Sequence, residues 1–218
     1  MVIVPGSLVL IALIGYLWGS IPSGYWMGKL IRGRDFDIRA YGSHKTGATN
    51  VRRTLGNGPA AVVFVVHLSK GVGPALIATL VPFFYNVGWG PTVAGLTALL
   101  GHCFPVFIGF RGGRGVLTGS GALLVISPLI FLIAFISTVG TIAITRYVSL
   151  GSIVGSLAAM ICGIIFYFTG HISLAQLAFL IIGPALVTLF HYDNIGRLLT
   201  GKERKIGLKG DVSIHPNP

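Results

Sequence analysis

The first polar loop of the sequence carries residue types that bind phosphate. Glycines allow backbone N–H groups to converge on one point, helix N-termini attract anions, and an arginine can bind phosphate through two hydrogen bonds. The alternative is an ordinary capped turn before a helix, with arginines reaching lipid phosphates, and the loop alone leaves both open. The residues concerned are Ser43, Gly47, Thr49, Asn50 and Arg53.

A second loop combines glycines with guanidinium groups in a similar way. It is not a P-loop, because the Gly-x-x-x-x-Gly-Lys-Ser/Thr spacing is absent. Backbone N–H groups and an arginine could again surround an anion. A membrane turn with cationic anchors is the alternative, and the presence of two such loops on one face weakens it. The candidate residues are Gly112, Gly113, Arg114, Gly115 and Thr118.

A third group follows the last apolar run. His191, Asn194 and Arg197 are three residues apart, so they lie near one face of a helix. A donor-rich stripe entering a membrane is costly unless something binds there. The spacing therefore favours a binding site over a simple interfacial anchor.

Ionisable residues also occur inside the apolar runs. His67, Lys70 and His102 are functional-site candidates on that ground, although Lys70 could instead pair with a backbone carbonyl or an acid. The chain has only five acidic residues, and they are too scattered for a transition-metal or paired-carboxylate site. No metal is predicted.

These polar residues stand in a chain that is otherwise made for a membrane. Hydrophobic residues make up 53% and charged residues 10% of its 218 residues, and the mean hydropathy is +0.85. A soluble domain has about 25% charged residues. The formal charge of +11 is spread over short loops between apolar runs, which is typical of membrane topology and not of nucleic-acid binding.

Hydropathy and charge together predict one all-helical domain, 1–218, with seven transmembrane helices. The run 116–145 is too long for one span and has Ser127-Pro128 in its middle, so it is divided there into two short, half-length spans. With the amino terminus outside, seven spans place every Lys and Arg except Lys70 on the cytoplasmic face. The apolar runs are 2–27, 59–85, 87–110, 116–145, 148–169 and 172–190.

Taken together, the loops resemble the acyl-phosphate:glycerol-3-phosphate acyltransferase family, the PlsY type of bacterial phospholipid synthesis. The matching segments lie in the same order over nearly the whole chain. This chain has Lys45 where the family usually has Asn, His67 where it has Asp, Arg114 where it has Lys, and Leu117 where Ala is common. The matches are Gly-Ser-Ile-Pro-Ser-Gly (19–24), Tyr-Gly-Ser (41–43), Gly-Ala-Thr-Asn-Val (47–51) with Arg53, Lys-Gly (70–71), Gly-His-Cys-Phe-Pro-Val-Phe (101–107), Gly-Gly-Arg-Gly-Val (112–116) with Thr118, Arg-Tyr-Val-Ser-Leu (146–150), and the spaced set His191, Asn194, Ile195, Arg197, Leu198, Gly201 and Glu203.

The resemblance implies transfer of a fatty acyl group from acyl phosphate to the 1-hydroxyl of glycerol 3-phosphate, giving lysophosphatidic acid and phosphate. It implies no cofactor, a bacterial plasma membrane location, contact with membrane lipid, and supply of the donor by a soluble enzyme. Ser43, Arg53, His191 and Asn194 would hold glycerol 3-phosphate. The acyl phosphate would be held by Thr49, Asn50, Gly112, Gly113, Arg114, Gly115 and Thr118.

The catalytic roles are less specified than the binding roles. Ser149 could join either set of ligands, and Lys70 and Arg197 complete the candidate binding residues. The base could be His102, His191 or an oxygen of the acyl phosphate itself, and the last is favoured because no histidine is followed by an acid in a His-x-x-x-x-Asp dyad.

Two other classes of protein would also explain part of the pattern. A transporter of phosphate or a phosphorylated metabolite accounts for the basic loops and for His67 and Lys70. It accounts less well for polar residues that all gather on one face, because transporter sites usually lie near the midplane between repeats. A non-catalytic lipid-binding scaffold is the third class.

Overall fold

The computed structural model describes residues 4–207, and these residues form helices and loops with no strand among them. Val2, at the predicted start of the first span, and Lys209 and Asp211 in the tail lie outside the described residues. Short 3₁₀ turns occur at Ile38–Ala40, Asn86–Gly88 and Val106–Ile108. The α-helices are α1 (Pro5–Gly19), α2 (Ser23–Arg32), α3 (Ala48–Leu55), α4 (Asn57–Leu80), α5 (Pro82–Tyr85), α6 (Trp89–Cys103), α7 (Val116–Ile126), α8 (Pro128–Thr145), α9 (Val148–Phe168), α10 (Leu174–Leu189) and α11 (Tyr192–Leu199).

The all-helical class predicted from the sequence is confirmed. Within residues 4–207, five helical segments are long and apolar enough to cross a membrane, and the pair α10–α11, bent by 58°, makes a sixth if it is one span. Helix α7 has 11 residues, too few for the roughly 17 that a full crossing needs. The count of seven spans therefore stays a prediction. The five segments are Pro5–Arg32, Asn57–Leu80, Pro82–Ile108, Pro128–Thr145 and Val148–Phe168.

The break predicted inside 116–145 lies where the sequence places it. Ser127 ends α7 in an extended conformation, with φ −153°, and Pro128 is the first residue of α8. Proline disfavours a helical conformation in the residue before it and has no N–H to donate. The prediction that both halves are short spans is wrong for the second half, because α8 has 18 residues.

The loops that carry the polar motifs meet at one end of the bundle, here called the loop end: residues 33–47, 104–115, 146–147 and 190–207. Arg39 Nη1 donates to the Ile108 carbonyl at 2.8 Å, which joins the first two loops. The Ile206 N–H donates to the Arg146 carbonyl at 2.8 Å, which joins the last two. Side chains from segments far apart in sequence are thereby brought to one place.

Candidate functional site

One cavity of about 600 Å³ begins at the loop end and continues between the helices. Its two parts differ in chemistry. The polar part is lined by Ser43, Lys45, Gly47, Thr49, Asn50, Arg53, His67, His102, Arg114, Gly115, Ser149, His191, Asn194 and Glu203. The apolar part is lined chiefly by α7, α8, α9 and α10, with Leu117, Leu123, Phe131, Phe135, Ile142, Ala159, Phe179 and Leu180 among its residues.

The first loop takes its shape from the side chain of Asn50. This amide is 1% exposed. Its Oδ1 accepts the Ser43 N–H at 2.9 Å, while Nδ2 donates to the Tyr41 and Lys45 carbonyls at 3.0 and 2.9 Å. Gly42, with φ 60°, packs so closely on Asn50 Oδ1 that a Cβ there would overlap it. Asn50 therefore organises the loop that carries Ser43.

Helix α3 presents its N-terminal end and one arginine to the cavity. Gly47 and Thr49 lie at the N-terminal turn of α3 and line the cavity, as does Arg53 one turn further on. Arg53 is 6% exposed. The partial positive charge of a helix N-terminus adds to that of the guanidinium, so this wall suits an anion.

The second loop folds back onto the end of α6. The Gly112 and Gly113 N–H groups donate to the Cys103 and His102 carbonyls, each at 3.1 Å. The next residue, Arg114, lines the cavity, and its Nε and Nη2 are buried without a hydrogen-bond partner among residues 4–207. Burial and the nearby Arg197 lower the pKa of Arg114 to about 10. The guanidinium stays charged at neutral pH, so two of its buried donors can bind an anion.

Gly113 has no room for a side chain. A Cβ built on it would overlap Nε2 of His102, whose side chain lies directly beneath the loop. We expect Gly113→Ala to move the loop and Arg114 by enough to reduce turnover about a hundredfold, because displacement of about 1 Å has effects of that size. Steady-state kinetics would test it. Gly196→Ala is the control, since no atom lies within 4 Å of a Cβ there, and equal activity of the two variants would contradict the expectation.

The third group is organised by Glu203. Its Oε1 accepts hydrogen bonds from Ser149 Oγ at 2.8 Å and Asn194 Nδ2 at 2.7 Å, and its Oε2 accepts one from Arg197 Nε at 2.7 Å. Burial raises the pKa of this carboxyl, but the hydrogen bonds from Arg197, Asn194 and Ser149 outweigh it, so the pKa lies below its ordinary value of 4.5. Asn194 Oδ1 is buried without a partner among the described residues. Glu203 was not predicted as a site residue, although it belongs to the last matching segment.

The histidines differ in what they can do. His191 Nδ1 lies 2.7 Å from the Val187 carbonyl; a carbonyl only accepts, so Nδ1 carries the proton and Nε2 has the free lone pair of the neutral ring. The rings of His67 and His102 contact edge to face with centroids 4.6 Å apart. Lys70 lies on α4 and is 2% exposed.

The structure brings most of the predicted site residues to the cavity. Eleven line it: Ser43, Gly47, Thr49, Asn50, Arg53, His102, Arg114, Gly115, Ser149, His191 and Asn194. Five others lie behind this lining: Lys70, Gly112, Gly113, Thr118 and Arg197. Thr118 Oγ1 donates to the His67 carbonyl at 3.2 Å, and Arg197 donates to Glu203, which does line the cavity. Among residues 4–207 there is no group of three or more His, Cys, Asp or Glu that could hold a metal ion.

These features define a class of protein: a helical integral membrane protein with a cationic site that opens onto an apolar channel. Such a site fits a phosphorylated headgroup together with an aliphatic chain.

Comparison with known proteins identifies the family. Residues 9–201 match the family Glycerol-3-phosphate acyltransferase. A glycerol-3-phosphate acyltransferase of Thermoanaerobacter sp. is 42% identical over 204 residues, covering 94% of this chain and 98% of the relative. One of Listeria monocytogenes is 40% identical over 209 residues, covering 92% and 97%. The chain belongs to the glycerol-3-phosphate acyltransferase family, of the PlsY type.

The fold is also that of solved members of the family. The crystal structure of PlsY (YgiH), an integral membrane glycerol 3-phosphate acyltransferase, in its glycerol 3-phosphate form, is 38% identical with a TM-score of 0.82. The alignment covers 92% of this chain and 96% of the PlsY chain. The lysophosphatidic acid form has a TM-score of 0.79 at the same identity and coverage. Family membership favours the acyltransferase over the transporter and the scaffold.

Proposed function

We propose that this protein transfers a fatty acyl group from acyl phosphate to the 1-hydroxyl of glycerol 3-phosphate and releases lysophosphatidic acid and phosphate. The observation that carries the proposal is one continuous cavity with a cationic part and an apolar part. An acyl phosphate has the same two parts, because its phosphate suits the arginines and its chain suits the channel. The glycerol 3-phosphate and lysophosphatidic acid forms of the related crystal structure support the acceptor and the product.

The two phosphates require separate sets of donors. The acyl phosphate is held by Arg114 and Gly115, which line the cavity, and by Thr49 at the start of α3. The predicted ligands Gly112 and Gly113 instead shape the loop, because their N–H groups donate to the Cys103 and His102 carbonyls. Glycerol 3-phosphate is held by Ser43, Arg53, His191 and Asn194, with Ser149 beside them. Asn50, Thr118 and Arg197, whose side chains bond to protein groups, position these ligands. Lys70 is buried on α4 and does not line the cavity, so its role as a ligand stays a prediction.

The chemistry needs no cofactor, because a mixed anhydride is already activated. The hydroxyl oxygen of glycerol 3-phosphate attacks the acyl carbon, a new C–O bond forms, and the bond from carbon to the phosphate oxygen breaks. Arg114 stabilises the charge that develops on the departing phosphate. The hydroxyl proton leaves with that phosphate, which accepts it directly; His191 Nε2 and His102 are the alternative acceptors. Alignment of the two substrates supplies much of the rate.

The location follows from the charges of the loops. Basic residues gather at the loop end, and the positive-inside rule then places that end in the cytoplasm and the amino terminus outside. The protein lies in the bacterial plasma membrane and contacts membrane lipid. A soluble enzyme that makes acyl phosphate supplies the donor from the cytoplasmic side.

The test is phosphate release by the purified protein given palmitoyl phosphate, with and without glycerol 3-phosphate. We expect release that requires the acceptor. It should fall at least about tenfold in Arg53→Ala and Asn194→Ala, because each loses a hydrogen bond to the substrate in a buried site. The matched controls are Arg32→Ala and Asn57→Ala, since both residues are exposed outside the cavity.

The other outcomes are equally informative. Release that is independent of glycerol 3-phosphate would indicate a hydrolase. Absence of release, together with uptake of glycerol 3-phosphate into proteoliposomes, would favour the transporter and overturn the proposal.

A further inference from the structure

The apolar part of the cavity ends inside the bundle at a floor made by four helices. On each of these helices one lining residue lies furthest from the loop end: Leu123 on α7, Phe131 on α8, Ala159 on α9 and Phe179 on α10. Each of these lies about midway along its helix or further from the loop end. The channel therefore stops within the protein and does not continue to the opposite end of the helices.

The floor belongs to the main hydrophobic core. Leu123, Ala159 and Phe179 are 7%, 2% and 2% exposed and form one cluster with Ile126 and Ile130. Phe131 packs against this cluster, and beyond it the space is filled by Cys162, Phe166 and Ile172. Interiors of this kind are close-packed, so a chain that reaches the floor cannot extend further along the helices without displacing core side chains.

The depth of the channel is set by helix geometry. Ser149, at the polar part, and Ala159, at the floor, are ten residues apart on α9. At 1.5 Å per residue the floor lies about 15 Å from the polar part. The aliphatic chain of a donor whose reacting carbonyl lies at the polar part would therefore run beside α9 towards the floor.

We propose that this floor limits the length of the acyl chain and that Ala159 is the residue that determines the limit. The inference rests on the proposed function, because it takes the aliphatic part of the donor as the occupant of the channel. Ala159 has the smallest side chain of the four floor residues, so it leaves space at the floor for the terminal methyl group of the acyl chain. A larger side chain at 159 shortens the channel, and removal of the Phe131 ring lengthens it.

The experiment measures kcat/KM of the purified full chain with lauroyl, myristoyl, palmitoyl and stearoyl phosphate and saturating glycerol 3-phosphate. Ala159→Leu is expected to lower the ratio of palmitoyl to lauroyl phosphate at least about tenfold, since excluding one methylene from an apolar pocket has an effect of that order. Phe131→Ala is expected to raise the ratio of stearoyl to palmitoyl phosphate. Phe166→Ala is the matched control and should leave both ratios unchanged, because Phe166 packs on the same core but does not line the cavity.

The outcomes separate this inference from the function on which it rests. If the wild type transfers acyl groups and Phe131→Ala keeps the wild-type chain-length profile, the inference is overturned, and the chain instead leaves sideways into the lipid. That result counts even if Ala159→Leu fails to fold. If the wild type uses none of the four donors, the proposed function is overturned and the inference falls with it.

Discussion

Replacing Arg114 with alanine is expected to reduce acyl transfer about a thousandfold, mainly through kcat. Arg114 lines the cavity, and its buried Nε and Nη2 have no hydrogen-bond partner in the part of the chain that the structure describes. A charged donor prearranged where negative charge develops costs about a hundredfold to a thousandfold when removed. The effect should be at the upper end, because the guanidinium has more than one donor to offer. Steady-state kinetics with palmitoyl phosphate and glycerol 3-phosphate would measure it.

The melting temperature of Arg114→Ala provides a second test, because we expect activity to fall while stability does not. A guanidinium with buried, unpaired donors destabilises the fold, so Arg114→Ala should melt no lower than the wild type in the same detergent. A fall in activity together with a large fall in melting temperature would indicate a structural role and contradict the assignment.

Two other variants control for charge and geometry. Arg114→Lys keeps the charge but loses the planar fork of donors, so it should retain more activity than alanine. Arg111→Ala removes the exposed arginine at the start of the same loop, which does not line the cavity. It should be close to wild type, and equal losses at 111 and 114 would mean that only the net charge of the loop matters.

Replacing Glu203 with alanine is expected to destabilise the protein by about 2–3 kcal/mol and to abolish most activity. Its side chain is 5% exposed and accepts hydrogen bonds from Ser149, Asn194 and Arg197. Buried donors left without an acceptor cost about 1–3 kcal/mol each. Arg197 is 39% exposed and can turn to water, so the total should be less than the sum. Denaturation of the detergent-solubilised protein would measure the loss.

The pH dependence of stability provides an independent test of the same carboxyl. Its pKa in the folded protein is lowered, so the stability it contributes is present above the ordinary value of 4.5 and is lost as the pH falls through the lower, folded value. Glu203→Gln should therefore differ from wild type near neutral pH and converge with it in acid. Asp35→Asn, at an exposed carboxyl, should follow the wild-type curve. A constant difference between Glu203→Gln and wild type at all pH values would contradict this account.

Much of the site was predictable because its residues occur in short segments. Glycines beside arginines indicated two loops that both contribute to the cavity, and three-residue spacing grouped His191 with Asn194, which both line it. The prediction of one shared helix face was wrong for His191, which precedes α11 at the bend after α10. The division at Ser127-Pro128 was correct because proline acts on its immediate neighbours. These inferences depend on local chemistry, which a sequence displays directly.

The roles within those segments were not predictable. The sequence does not show whether the amide of Asn50 contacts a substrate or stabilises a loop. In the structure it stabilises the backbone around Ser43. Glu203 appeared to be an isolated acid in the tail, yet its three donors come from α9 and α11. Such pairings join segments up to 54 residues apart, so they exist only once the chain has folded.

The sequence by itself determined that this protein belongs in a membrane, that the helix breaks at Ser127-Pro128, and which loops carry the glycines and basic residues at the loop end. Composition and neighbouring residues are sufficient for those properties. Only the tertiary structure decided that the loops share one cavity and that the apolar part of this cavity reaches no further along α9 than Ala159. It also decided that two buried donors of Arg114 have no partner within residues 4–207, while Arg197 donates to Glu203. Those properties depend on which side chains from distant helices become neighbours. In a close-packed interior the position of each side chain depends on all the others around it.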